Sequence, residues 1–130
     1  MVDDEPMNIM ALQSLLLNHK LKIDKAFSGT IALDIIRDRI DSGEPMYDLI
    51  LMDYSMPELD GPSTTAMVRD IIRKQNTPLI PQPYICCVSA YSETFFRNNA
   101  INSGMNDFKT KPVPKQEIDE LLAELGINAN

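Results

Sequence analysis

The 130-residue sequence predicts an α/β domain in which a doubly wound parallel sheet carries helices on both faces. Three observations predict it. Strand-like and helix-like segments alternate along the chain, an order that right-handed crossovers turn into parallel strands. Leu49-Ile50-Leu51-Met52 is an unbroken aliphatic run, the pattern of a strand buried on both faces. The residues that close or follow the strand-like runs, Asp53, Ser89 and Lys111, are polar and reactive, and open α/β sheets bind ligands at that edge.

Element by element, Asn8 to Asn18 sets Ile9, Leu12, Leu15 and Leu16 close to helical spacing. Leu21 to Ala26 alternates like a strand with one wet side, which suits a sheet edge. Gly29 to Ile40 returns to helical period through Ala32, Leu33, Ile36 and Ile40. The strand ending at Asp53 stops at a turn rich in Pro, Asp and Gly, and Pro62 suits the first turn of a helix reaching Lys74. A loop over residues 75–82 holds Pro78 and Pro81 before the strand Tyr84 to Val88. Ser92 and Glu93 open a further helix that Gly104 closes. After a short strand, Asp107 to Thr110, Pro114 introduces a last helix through Ile118, Leu121, Leu122 and Leu125, stopped by Gly126.

Composition narrows the function classes. The formal net charge is −7 and no basic block exceeds Arg73-Lys74, which disfavours a nucleic-acid surface. No apolar stretch approaches the roughly 20 residues of a membrane span, so no direct membrane contact is expected. Asp3, Asp4 and Glu5 stand where a secretory signal carries basic residues. Adjacent Cys86 and Cys87 on one strand point to opposite faces, which argues against a disulfide and for a cytoplasmic setting.

Asp3-Asp4-Glu5-Pro6, Asp53-Tyr54-Ser55-Met56-Pro57 with Asp60-Gly61, Val88-Ser89-Ala90 and Lys111-Pro112 together resemble the receiver domain of two-component response regulators. Each motif alone is weak; their order and spacing over nearly the whole chain make the set specific. Asn8 and the stretch from Gly104 to Pro112 look most like receivers of hybrid histidine kinases. The resemblance implies a flavodoxin-like sheet of order 2-1-3-4-5. It implies that Asp53 accepts a phosphoryl group from phosphohistidine on a histidine kinase or phosphotransfer domain. Asp4, Asp53, the backbone carbonyl of Ser55 and, through water, Asp3 would hold Mg²⁺, which favours hard oxygen ligands. Lys111 would counter phosphoryl charge, and Ser89 with Phe108 would form the switch. Ser55 and Tyr91 would flank the hydrolytic water and set the lifetime, and the Lys111–Pro112 bond is commonly cis in such domains.

Taken one at a time, these residues have plainer readings. Asp53 alone is a turn former, Asp3-Asp4-Glu5 a solvated acidic start, Ser89 a turn residue and Lys111 a strand exit. Phe108 is core before it is switch, and His19 is expected on the surface near the end of the first helix. Only Met1-Val2 precedes the acidic pair, where receivers have a hydrophobic first strand. Residues 1–130 are therefore expected to be a receiver with its first strand largely missing, a fragment of a longer polypeptide. The other function class is a pseudo-receiver, an interaction module that keeps the fold without cycling phosphate. An aspartyl phosphatase ranks last, because Ser55 stands where such chemistry wants a second acid.

Overall fold

In the computed structural model, which describes residues 1–75 and 80–127, three parallel strands form the centre of the sheet. They are β1 (Leu49–Asp53), β2 (Tyr84–Ser89) and β3 (Asp107–Thr110), in the order β1-β2-β3. Leu49 pairs with Tyr84 and Cys86 with Asp107. Helices α1 (Pro6–Leu15), α2 (Gly29–Ser42), α3 (Gly61–Arg73), α4 (Thr94–Ser103) and α5 (Lys115–Glu124) fill the two faces. The doubly wound α/β reading holds.

The sheet continues beyond β1 by single bridges. Val2 pairs in parallel with Met52 on one side and with Ala26 on the other. Val2 N donates to the Leu51 carbonyl and Asp53 N donates to the Val2 carbonyl, both at 2.8 Å. Spatial order from one edge is thus the Ala26 segment, Val2, β1, β2 and β3, which is the 2-1-3-4-5 arrangement.

One element departs from expectation. Leu21 to Ala26 is not a strand; only Ala26 bridges. Alternation equips a segment for a sheet edge, but strand geometry is held by a neighbour's hydrogen bonds. The neighbour here is Met1 to Asp3, which reaches only Ala26 and Asp24.

Two cores sandwich the sheet. Met52, Ile85, Cys87 and Phe108 pack toward α2, α3 and α4, with Ile36, Val68 and Ala100. Leu51, Cys86 and Val88 pack toward α1 and α5, with Leu12, Ile118 and Leu122. Cys86 and Cys87 face opposite ways as expected, both thiols free and pushed up to about 12 by burial.

Helix ends follow their capping residues. Ser28 Oγ accepts from Ile31 N at 3.0 Å to start α2, and Gly43 ends it in left-handed geometry. Asp60 Oδ1 accepts from Ser63 N at 2.8 Å to start α3. Glu93 precedes α4 without a side-chain cap, and Gly104 closes that helix at φ 114°. Of the loop expected over 75–82, residues 76–79, including Pro78, lie outside the described residues. His19 is half-buried rather than freely exposed. Its side chain is 12% exposed, and Nε2 lies 2.9 Å from Asp119 Oδ1, clipping the end of α1 to α5.

Candidate functional site

The candidate acceptor, metal-ligand, cation and hydroxyl residues sit at or next to the carboxyl edge of the sheet, whereas Phe108 lies within β3 opposite Cys87. Asp53 is the last residue of β1 and Ser89 the last of β2, while Lys111 directly follows β3. Asp3 and Asp4 follow Val2, whose two bonds to β1 lock them beside Asp53. Three parallel strands and one bridging residue thus deliver their next side chains to the same place.

Lys111 organises the cluster. Its Nζ donates to Asp53 Oδ1 and to Asp3 Oδ2, each at 3.0 Å. Its backbone N donates to the Ser89 carbonyl at 2.7 Å, and the peptide bond to Pro112 is cis. Asp3 is buried, and its second oxygen accepts from Glu5 N at 2.9 Å and Asn8 Nδ2 at 3.3 Å. Burial raises the Asp53 pKa to about 6; Lys111 opposes that shift and Asp3 adds to it. Burial works against the Lys111 ammonium, but its bonds to Asp53 and Asp3 prevail and raise its pKa. The pair is therefore a charge-compensated acid and base at the carboxyl edge of the sheet.

Asp3, Asp4 and Asp53 each offer a carboxylate oxygen, and these oxygens lie within 4.8 Å of one another. Mg²⁺ bonds oxygens at about 2.0–2.1 Å, so opposite ligands of one ion stand about 4.2 Å apart. The three carboxylates fit that requirement in chemistry and in spacing. Ser55 is exposed, two residues beyond Asp53.

Ser89 is fully buried, and its Oγ accepts from Tyr91 N at 3.0 Å. Tyr91 is 45% exposed, its ring stacked on Phe96 at 4.7 Å between centroids. Phe96 in turn meets the Tyr54 ring edge-on at 5.2 Å. Phe108 is a core residue, with the Arg97 guanidinium 4.9 Å above its ring.

Two features near the site escaped the sequence reading. Arg97 over Phe108 joins α4 to β3, and nothing in the local sequence signals it. Glu58 adopts φ 68° in the loop between Asp53 and α3, a conformation usually signalled by Gly or Asn.

The chain matches the family model described as the response regulator receiver domain over residues 1–123. It is 30% identical over 132 residues to hybrid signal transduction histidine kinase L of Dictyostelium discoideum, covering 99% of this chain and 7% of that protein. It is 29% identical to the sensor histidine kinase GacS of Pseudomonas protegens, covering 93% of this chain and 12% of that protein. The chain thus spans a small part of the curated hybrid kinases it matches. Among solved structures, the signal receiver domain of an HD domain-containing protein from Pseudomonas fluorescens has a TM-score of 0.78 at 21% identity, covering 97% of this chain and 90% of that one. The receiver domain of the histidine kinase CKI1 from Arabidopsis thaliana, complexed with Mg²⁺ and BeF₃⁻, has a TM-score of 0.75 at 22% identity, covering 98% and 87%. These two likenesses bear on the fold, which is that of the flavodoxin-like receivers. With the family model matched over residues 1–123, the chain belongs to the response regulator receiver domains of two-component systems.

Proposed function

We propose that this receiver takes a phosphoryl group from phosphohistidine onto Asp53. The observation that carries the reading is the Lys111 ammonium held between Asp53 and Asp3 beside a three-carboxylate cluster. An Asp53 carboxylate oxygen attacks phosphorus as the P–N bond to histidine breaks. The electron pair of that bond returns to the imidazole, and an aspartyl phosphate remains. Lys111 balances phosphoryl charge, and Ser89 Oγ turns from Tyr91 N to bond a phosphoryl oxygen. Mg²⁺ held by Asp4, Asp53, the Ser55 carbonyl and, through water, Asp3 would neutralise the acids and polarise the phosphoryl oxygens.

Phosphorylation adds about −1.5 to −2 charges, and contacts made only in that state move the equilibrium of the Ser89–Phe108 pair. Ser55 and Tyr91 border the approach of water and govern how long the aspartyl phosphate lasts. The domain is a signalling module whose phosphotransfer and dephosphorylation are self-catalysed. Its donor is a histidine kinase or histidine phosphotransfer domain, docked over Met7 and Met10, which are 72% and 62% exposed on α1. Residues 1–130 serve as the receiver part of a longer, hybrid-kinase-like polypeptide in a cytoplasmic setting; among the described residues no helix is long and apolar enough to cross a membrane.

Intact-mass analysis with acetyl phosphate tests the metal requirement. A single phosphoryl adduct is expected with Mg²⁺, none in excess chelator and none in Asp53→Asn. Equal yield in chelator would remove the metal from the account.

A further inference from the structure

Helix α4 is held unequally at its two ends. Its carboxyl end is clasped by Arg69, which donates to the Gly104 carbonyl from Nε at 3.0 Å and from Nη2 at 2.8 Å. Arg69 Nη1 also donates to the Pro83 carbonyl at 2.6 Å, and buried Ala100 packs the same end into the core. The amino end has no such hold. Glu93 supplies no side-chain cap, residues 91–95 are exposed and Phe96 is only half-buried.

Two residues tie these first turns to β1, and both reach Tyr54. Asn99 Nδ2 donates to Tyr54 Oη at 2.6 Å, and Phe96 meets the Tyr54 ring edge-on. Positions 96 and 99 are three apart and share one face of the helix. Tyr54 is a fixed anchor: it is buried, it directly follows Asp53, and its carbonyl accepts from Gly61 N. Phe96 also carries the Tyr91 ring, whose backbone N bonds Ser89 Oγ. A circuit of contacts thus runs from Asp53 through Tyr54, Phe96 and Tyr91 to Ser89.

Ring contacts tolerate a spread of offsets, about 4.5–7 Å between centroids, and so does the Arg97 guanidinium over Phe108. A hydrogen bond weakens steeply once it is bent. The Asn99–Tyr54 bond is therefore the contact that fixes the angle of the amino end. We propose that Asn99 is a positioning residue: through Tyr54 it sets the first turns of α4, and with them the place of Tyr91, so that it governs how long an aspartyl phosphate on Asp53 survives. The lifetime rests on the reading of Asp53 as the phosphoryl acceptor. In its hydrolysis a water oxygen attacks phosphorus and the bond to the Asp53 oxygen breaks. That electron pair returns to the carboxylate, and the water's protons pass to the released phosphate and to solvent. Asn99 touches none of these atoms.

Tyr54→Phe removes only the hydroxyl, and Asn99→Leu removes the amide at similar shape. Each should speed NMR-detected amide exchange at Arg97, Asn98 and Asn99 about two- to tenfold, the population change that one net hydrogen bond makes, and leave α3 unchanged. Each should shorten the lifetime of the intact-mass adduct by a similar factor after acetyl phosphate is removed. The double variant should go no further than either single one. Asn99→Asp, whose carboxylate accepts from the Tyr54 hydroxyl, should restore the parent values. Parent-like exchange in the single variants would overturn the proposal, as would effects that add in the double variant. Faster exchange with an unchanged lifetime would overturn it too, leaving Asn99 a structural residue. A parent chain that takes up no phosphate with Mg²⁺ would instead sink the reading of Asp53, and the exchange series alone would then decide whether Asn99 positions α4.

Discussion

Gly61 packs so tightly against Asp53 that a β-carbon at position 61 would overlap the Asp53 carbonyl oxygen and lie 3.1 Å from the Tyr54 α-carbon. Gly61 N also donates to the Tyr54 carbonyl at 2.8 Å. The start of α3 is therefore seated directly on the end of β1, and the Asp53 backbone is fixed by the helix that follows it.

Gly61→Ala is accordingly expected to destabilise the domain by about 1–3 kcal/mol, the usual range for forced overpacking. It should also slow acetyl phosphate labelling of Asp53. Urea unfolding and labelling rates measured on the same variant check both effects. A variant with unchanged stability and rate would mean that this contact does not position Asp53.

The raised pKa of Asp53, about 6, makes stability depend on pH. Between the ordinary carboxylate value near 4 and about 6, the folded state holds a proton that the unfolded chain has lost. Stability from this group is therefore greatest in acid, falls as pH rises through that window and levels off above it. At about 1.4 kcal/mol per pH unit, Asp53→Asn should be more stable than the parent by about 1–3 kcal/mol at pH 7 without metal. The gain should vanish below pH 4. Urea unfolding at the two pH values decides it; a parent at least as stable as Asp53→Asn at pH 7 would contradict the burial argument.

Tyr91 lies flat on Phe96 while its backbone N bonds Ser89 Oγ. Under the proposed function, the ring so held would screen the aspartyl phosphate from water. Tyr91→Ala should shorten the aspartyl phosphate lifetime several-fold, read as decay of the intact-mass adduct after donor removal. An unchanged decay would assign shielding to another side chain.

Ser89 and Phe108 are expected to act together. A cation–π contact is worth about 0.5–2 kcal/mol, so Arg97 above Phe108 holds the aromatic in its buried position. Ser89→Ala should leave phosphoryl uptake largely intact while weakening the NMR shift changes that reach α4, β3 and α5. Arg97→Ala should enlarge them. Equal shifts in the parent and Ser89→Ala would separate Ser89 from the switch.

Most of the fold was legible because its signals are local. β1 and β2 are apolar runs ended by turn residues, and α2 and α3 carry their caps at Ser28 and Asp60. The site was legible because a parallel sheet sends successive strand ends to one edge, so Asp53, Ser89 and Lys111 could be grouped from their positions alone. What was not legible depends on partners distant in sequence. The alternation of Leu21 to Ala26 could not reveal that Val2 alone would bridge it. The contact that half-covers His19 is with Asp119, one hundred residues away. The Arg97–Phe108 contact and the raised Asp53 pKa likewise arise only once the chain has packed.

The most direct test of the central claim is transfer from a histidine phosphotransfer domain carrying ³²P on its histidine, followed by borohydride reduction and peptide mapping by mass spectrometry. With Mg²⁺ present, label should leave the donor, and the reduced acyl phosphate should map to Asp53. Homoserine formed by borohydride at any other aspartate, or an unchanged yield of transferred phosphate in Asp53→Asn, would contradict the assignment of Asp53 as the acceptor.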